Sequence, residues 1–95
     1  MTVTVRLYPP LNDAAGREQI TLAVAGQATI GSILERLAAQ LGPDFRRYLY
    51  DDEHIIPAWC VFVNGQPVQL NRPASLETGV SDGDELAILL NVAGG

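Results

Sequence analysis

An α+β fold, with a mixed sheet of four to five strands packed on one main helix, is what this sequence of 95 residues predicts. Three observations predict it. Short segments near both ends alternate apolar and polar residues, one segment in the first half repeats aliphatic residues at helical spacing, and Asn64-Gly65 divides a later stretch into two arms of a hairpin.

Taken in order, Val3, Val5 and Leu7 alternate with Thr2, Thr4 and Arg6, the period of a strand buried on one face, and Pro9-Pro10 ends it. A polar loop through Asn12, Asp13 and Gly16 leads to a second alternation, Ile20, Leu22 and Val24 against Gln19, Thr21 and Ala23. These two strands are expected to pair antiparallel. Thr29 stands at an N-cap position before Ile30, Ile33, Leu34, Leu37 and Leu41, which share one helical stripe. Burying such side chains contributes about 1.5–3 kcal/mol each before the entropy of ordering them, so this helix is the main plug of the core. Gly42-Pro43 closes it, glycine by taking a left-handed conformation and proline by being unable to continue.

Phe45, Tyr48, Leu49 and Tyr50 predict a short helical turn, followed by an exposed loop, Asp51-Asp52-Glu53-His54. Trp59–Val63 is aromatic and β-branched and meets Asn64-Gly65, both of which tolerate positive φ, so 66–70 should return as a strand. Residues 71–81 form a connector anchored by Leu76, and Asp82-Gly83-Asp84 turns into a last strand over 85–91 with Leu86, Ile88 and Leu90 toward the helix. Residues 1–91 thus make one domain and 92–95 a flexible tail.

Eleven carboxylates against six basic residues give a net charge of −5, and all six basic residues are arginine. Nucleic-acid binding needs a basic stripe to displace counterions, and none is present; an acidic surface suits a basic protein partner. No stretch approaches the roughly 18 apolar residues of a membrane span, and the N-terminus lacks the pattern of an export signal. The expectation is a cytoplasmic protein, monomeric when free. Cys60 is single, which excludes an internal disulfide.

The residues with chemical potential divide sharply. Cys60 between Trp59 and Val61 reads as a small packed residue, and His54 with its three acidic neighbours lacks the spacing of a metal site. Asp82 and Asp84 read as turn formers, and Arg46 and Arg47 as a solvated helix end. What remains is the end of the sequence, Val92-Ala93-Gly94-Gly95.

That diglycine, the order strand, strand, helix, strand, strand, strand, and the Val63-Asn64-Gly65 and Asp82-Gly83-Asp84 turns together resemble the ubiquitin-like β-grasp sulfur carriers. These include the small subunit of molybdopterin synthase, the thiamine sulfur carrier and the carrier of a thiocarboxylate route to cysteine. The resemblance covers nearly the whole chain, and the diglycine joined to this element order is its specific part. It implies that the carboxylate of Gly95 is adenylated by a ubiquitin-activating-like adenylyltransferase and converted to a thiocarboxylate. ATP and Mg then belong to that partner, and no cofactor is expected on the chain itself.

The other implied partners are a sulfur donor such as a persulfide protein and a sulfur-accepting synthase in molybdopterin, thiamine or cysteine biosynthesis. The chain is then a protein cosubstrate, or the small subunit of a synthase, and not an enzyme by itself. Many molybdopterin-synthase small subunits carry Pro-Pro where this chain has Leu90-Asn91, while the insertion from Phe45 to Trp59 exceeds the length of most thiamine carriers. The alternative implied by the same tail is a modifier joined through Gly95 to lysines of other proteins. With no lysine of its own the chain cannot build lysine-linked chains on itself.

The chemistry explains the residue types. Without Cβ, Gly94 and Gly95 fit a narrow channel and reach conformations closed to other residues. Val92 and Ala93 extend the reach, since four residues span roughly 13 Å. If Leu86 and Ile88 point inward, Ala87 and Leu89 point outward, with Phe62 beside them, and this outer face is the expected partner surface.

Overall fold

The computed structural model describes residues 1–90. The expected tail residues Val92, Ala93, Gly94 and Gly95, and Asn91 of the expected last strand, lie outside the described residues.

The first alternation forms β1 (Thr2–Leu7), with Val3, Val5 and Leu7 at most 2% exposed. β2 (Gln19–Ala23) pairs with it antiparallel, Val3 opposite Leu22. Between them the expected polar loop is a short helix, α1 (Leu11–Ala15), which buries Leu11 completely and stops at Gly16 with φ of 74°. One buried leucine among prolines, Asn12 and Asp13 leaves no 3.6-residue period to detect.

Ala28–Thr29 (β3) leads into the main helix, α2 (Ile30–Leu41). Its start is a reciprocal cap: the Ser32 N–H donates to Thr29 Oγ1 at 3.1 Å and the Thr29 N–H donates to Ser32 Oγ at 2.9 Å. Losing such a cap costs about 1 kcal/mol, so Thr29→Ala is expected to lower the melting temperature by about 4–8 °C in a domain of this size, measured by thermal unfolding. Ile30, Ile33, Leu34, Leu37 and Ala38 face the sheet, while Leu41 is only half-buried. Gly42 has φ of 97° but ψ of 178°, so it does not form the expected left-handed cap. It turns the chain at once into α3 (Pro43–Leu49), whose Phe45 and Leu49 are fully buried.

The expected loop after α3 is a tight hairpin, β4 (Tyr50–Asp51) against β5 (His54–Ile55), with Asp52 at φ of 57°. Arg46 secures it. Its guanidinium lies 4.3 Å over the Tyr50 ring and donates to the Asp52 carbonyl at 3.0 Å, so Arg46 is not the solvated residue expected, whereas Arg47 pairs only with exposed Asp44. β6 (Trp59–Val63) and β7 (Gln66–Gln69) form the predicted hairpin, with Asn64 and Gly65 both at positive φ. Pro67 is tolerated because β7 is an edge strand.

In the connector a 3-10 turn (Pro73–Glu77) brings Leu76 down as a half-buried contact, and β8 (Gly79–Val80) pairs with β3. Val80, at 6% exposed, is the deeper anchor. β9 (Glu85–Leu90) then enters the centre of the sheet, whose order is β2-β1-β9-β6-β7. It runs parallel to β1 and antiparallel to β6, so the first and last strands of the described chain lie side by side. Five mixed strands with α2 packed across one face form the β-grasp arrangement.

The turn into β9 joins three segments. Asp84 accepts from the Ser81 N–H at 2.8 Å and from Asn64 Nδ2 at 2.9 Å, Asn64 Oδ1 accepts from the Glu85 N–H at 2.9 Å, and Asp82 accepts from the Thr2 N–H at 2.7 Å. The Ser81 N–H, and then Asn64, hold the Asp84 carboxyl below its ordinary range. The unfolded chain therefore binds a proton more readily at this position than the folded one. The stabilisation is complete above the unfolded carboxylate pKa of about 3.9 and is lost as pH falls through the lower folded value. Asp84→Asn should accordingly lower the urea midpoint slightly at neutral pH, solvent screening keeping the effect small, with the difference from wild type shrinking as pH falls below about 4.

Candidate functional site

β9 is hydrogen-bonded on both sides, which fixes its backbone. Its alternation is clean over four residues: Leu86 and Ile88 are 1% and 0% exposed against α2, while Ala87 and Leu89 are half-buried on the opposite face. Leu90, expected inward, is 45% exposed. It is opposite Trp59, whose Nε1 donates to the Tyr48 carbonyl at 2.7 Å, and the covering layer stops short of it.

On the outer face the register places Phe62 beside Ala87 and Cys60 beside Leu89 on one flank, with Arg6 beside Ala87 on the other. Sequence reasoning grouped Ala87, Leu89 and Phe62 on one face, and the sheet brings these three together. It adds three that were missed. Arg6, Tyr8 and Glu85 line the same shallow depression of about 450 Å³ together with Gly65. Alternation already pointed Arg6 outward, but its nearness to Ala87 depends on the parallel pairing of β1 with β9, which no local pattern carries.

This surface combines an apolar centre with a charged margin. Tyr8 is 39% exposed, and Phe62, Ala87 and Leu89 add partly exposed apolar area at the centre. At the margin Arg6 Nε and Glu85 Oε1 are 3.2 Å apart in a half-exposed ion pair that adds little stability but marks one side of the patch with both charges. Cys60, paired with Leu89 across the sheet, is 3% exposed, and burial pushes its thiol pKa up. A thiol less ready to ionise is a poor nucleophile, in keeping with a packing role. Among the described residues no group of three or more His, Cys, Asp or Glu side chains is placed to hold a metal, and no helix is long and apolar enough to cross a membrane.

Comparison with known proteins adds an independent line. The family model that matches is the ThiS family, over residues 5–95. A chain of Archaeoglobus fulgidus named "Putative sulfur carrier protein" is 34% identical over 95 residues, which is the whole of both chains. Among solved structures, SAMP1 of Haloferax volcanii, a small archaeal modifier protein, superposes with a TM-score of 0.80 at 28% identity and full coverage of both chains. The BexX/CysO complex of Amycolatopsis orientalis contains a chain with a TM-score of 0.69 at 31% identity, over 98% of this chain and 99% of that one.

Proposed function

The chain belongs to the ThiS family, and from that membership we propose that it is a sulfur carrier whose reactive group is the carboxylate of Gly95. The observation that carries the reading is the conjunction of a family match reaching residue 95 with a central strand, β9, that runs toward a Gly-Gly end.

A carboxylate at neutral pH is a poor electrophile and must first become an acyl adenylate. In the proposed reaction a Gly95 oxygen attacks the α-phosphorus of ATP in a partner adenylyltransferase, and pyrophosphate leaves. The terminal sulfur of a persulfide then attacks the carbonyl carbon and AMP leaves. A further thiol attacks the donor's own sulfur, forming a disulfide with it and expelling the thiocarboxylate, which a sulfur-accepting synthase of molybdopterin, thiamine or cysteine biosynthesis consumes. ATP and Mg are held by the activating enzyme. Gly94 and Gly95 pass a narrow channel that excludes water from the adenylate, and Val92 and Ala93 bridge from β9 to that channel. The outer face around Phe62, Ala87 and Leu89 docks the partner, as burial of an apolar centre within a polar rim favours.

The reading is tested with the chain, its adenylyltransferase, ATP and Mg, by following pyrophosphate release. Release that depends on the carrier and stops when Gly95 is removed is the expected result; release unaffected by the carrier would overturn it. A second reading is favoured by the likeness to SAMP1 of Haloferax volcanii: the same activated Gly95 is passed to lysines of target proteins. Isopeptide-linked Gly-Gly remnants on cellular lysines, dependent on this chain, would show that route.

A further inference from the structure

A second concavity, of about 410 Å³, shares no lining residue with the outer-face depression. Three segments distant in sequence build it: the first half of α2, the β4–β5 hairpin, and the stretch from Leu70 to Leu76. Gly31 permits its closed end. A Cβ there would stand 3.1 Å from the Leu76 carbonyl oxygen and 3.2 Å from Leu76 Cβ, so glycine allows the 3-10 turn to settle on α2.

The walls are largely apolar, with Ile55, Leu70 and Leu76 among them, and the charged groups on them are Glu35 and Glu53 against Arg72, with His54 on the rim. Glu35 stands next to Tyr50 in this wall. The Tyr50 phenol lies beside its carboxylate, and burial, followed by the charge of Glu35, pushes the phenol up to about 12. Arg46 packs on the Tyr50 ring and ties the hairpin backbone, so the tyrosine beside Glu35 is itself fixed. An ionised carboxylate has about four acceptor sites with which to meet a cation. The acidic character continues along the hairpin through Asp51 and Asp52, on a chain of net charge −5.

A carboxylate beside an apolar trough is complementary to a cation carried on an aliphatic stem. We propose that this cleft docks a basic, aliphatic peptide segment of a partner protein, with a lysine or arginine head on Glu35 and apolar stems along Ile55, Leu70 and Leu76. Because the lining residues are separate, occupation here leaves the outer face open to a second protein. The proposal does not depend on the chemistry of Gly95.

The probe is an acetylated, amidated peptide of alternating arginine and leucine, titrated into the isotope-labelled full chain and followed by the amide signals of the protein. The expected result is a saturable shift of the Glu35, Ile55 and Leu76 amides with those of Ala87 and Leu89 unmoved. Glu35→Gln should weaken binding about five-fold while preserving a dispersed spectrum, and Glu53→Gln should weaken it in the same direction. Absence of saturable shifts, equal binding of the peptide with glutamate in place of arginine, or shifts centred on Ala87 and Leu89 would overturn the proposal.

Discussion

Deleting Gly95 is expected to abolish sulfur loading and leave the melting temperature nearly unchanged. The deletion moves the terminal carboxylate back by one residue, about 3.3–3.6 Å, and a misplacement of even 1 Å at a reacting centre can cost on the order of 10²-fold. A carboxylate is still present on Gly94, so the experiment separates possession of the group from its position. Stability should not follow, because glycine has no side chain to bury, and the core among the described residues runs from Val3 to Ile88. Loading is read by intact mass and stability by thermal unfolding. A large fall in melting temperature would mean that the end of the chain is structural, and undiminished loading would mean that Gly95 is not the reactive residue.

The second large effect concerns docking. Leu89→Asp places a charge in the outer-face patch, two residues along β9 from Ala87 and paired across the sheet with buried Cys60. Central interface residues typically contribute about 2–4 kcal/mol, so kcat/KM for adenylation should fall by roughly 10²-fold or more. Leu86 and Ile88 keep their inward packing in this variant, so thermal unfolding should change far less than activation does. As a comparison, Thr21→Asp lies on an exposed position of β2, at the sheet edge, and should load at the wild-type rate. Equal kcat/KM for the Leu89 and Thr21 variants would remove the outer face from the account.

Local periodicity made much of this architecture legible in advance. β1, β2, α2 and the β6–β7 hairpin each contain enough alternating or helically spaced residues to declare themselves, and Thr29 and Asn64-Gly65 mark their boundaries by known stereochemistry. The two-residue strands β3, β4, β5 and β8 are too short to show a period, and their pairing is set by tertiary contacts. α1 fails for the same reason, having one fully buried residue in five. Leu90 shows the limit of alternation, which gives the side a residue faces but not how far the opposing layer extends.

The candidate site divides along the same line. Ala87, Leu89 and Phe62 follow from period two combined with the hairpin, and Glu85 shares the same alternation along β9, whereas Arg6 and Tyr8 join them only through the parallel pairing of the first strand with the last. The cleft around Glu35 was invisible for a stronger reason. Its walls come from segments about twenty residues apart that no motif connects, and its key geometry is a tyrosine fixed by Arg46, a residue that sequence alone reads as solvent-facing.

The measurement that bears most directly on the central claim is the intact mass of the full chain after incubation with its adenylyltransferase, ATP, Mg and a persulfide sulfur donor. The account predicts a gain equal to replacement of one oxygen by sulfur, located at Gly95 by fragmentation and absent when ATP is omitted. A chain that retains only its carboxylate, under conditions where the enzyme is shown to turn over ATP, would contradict it.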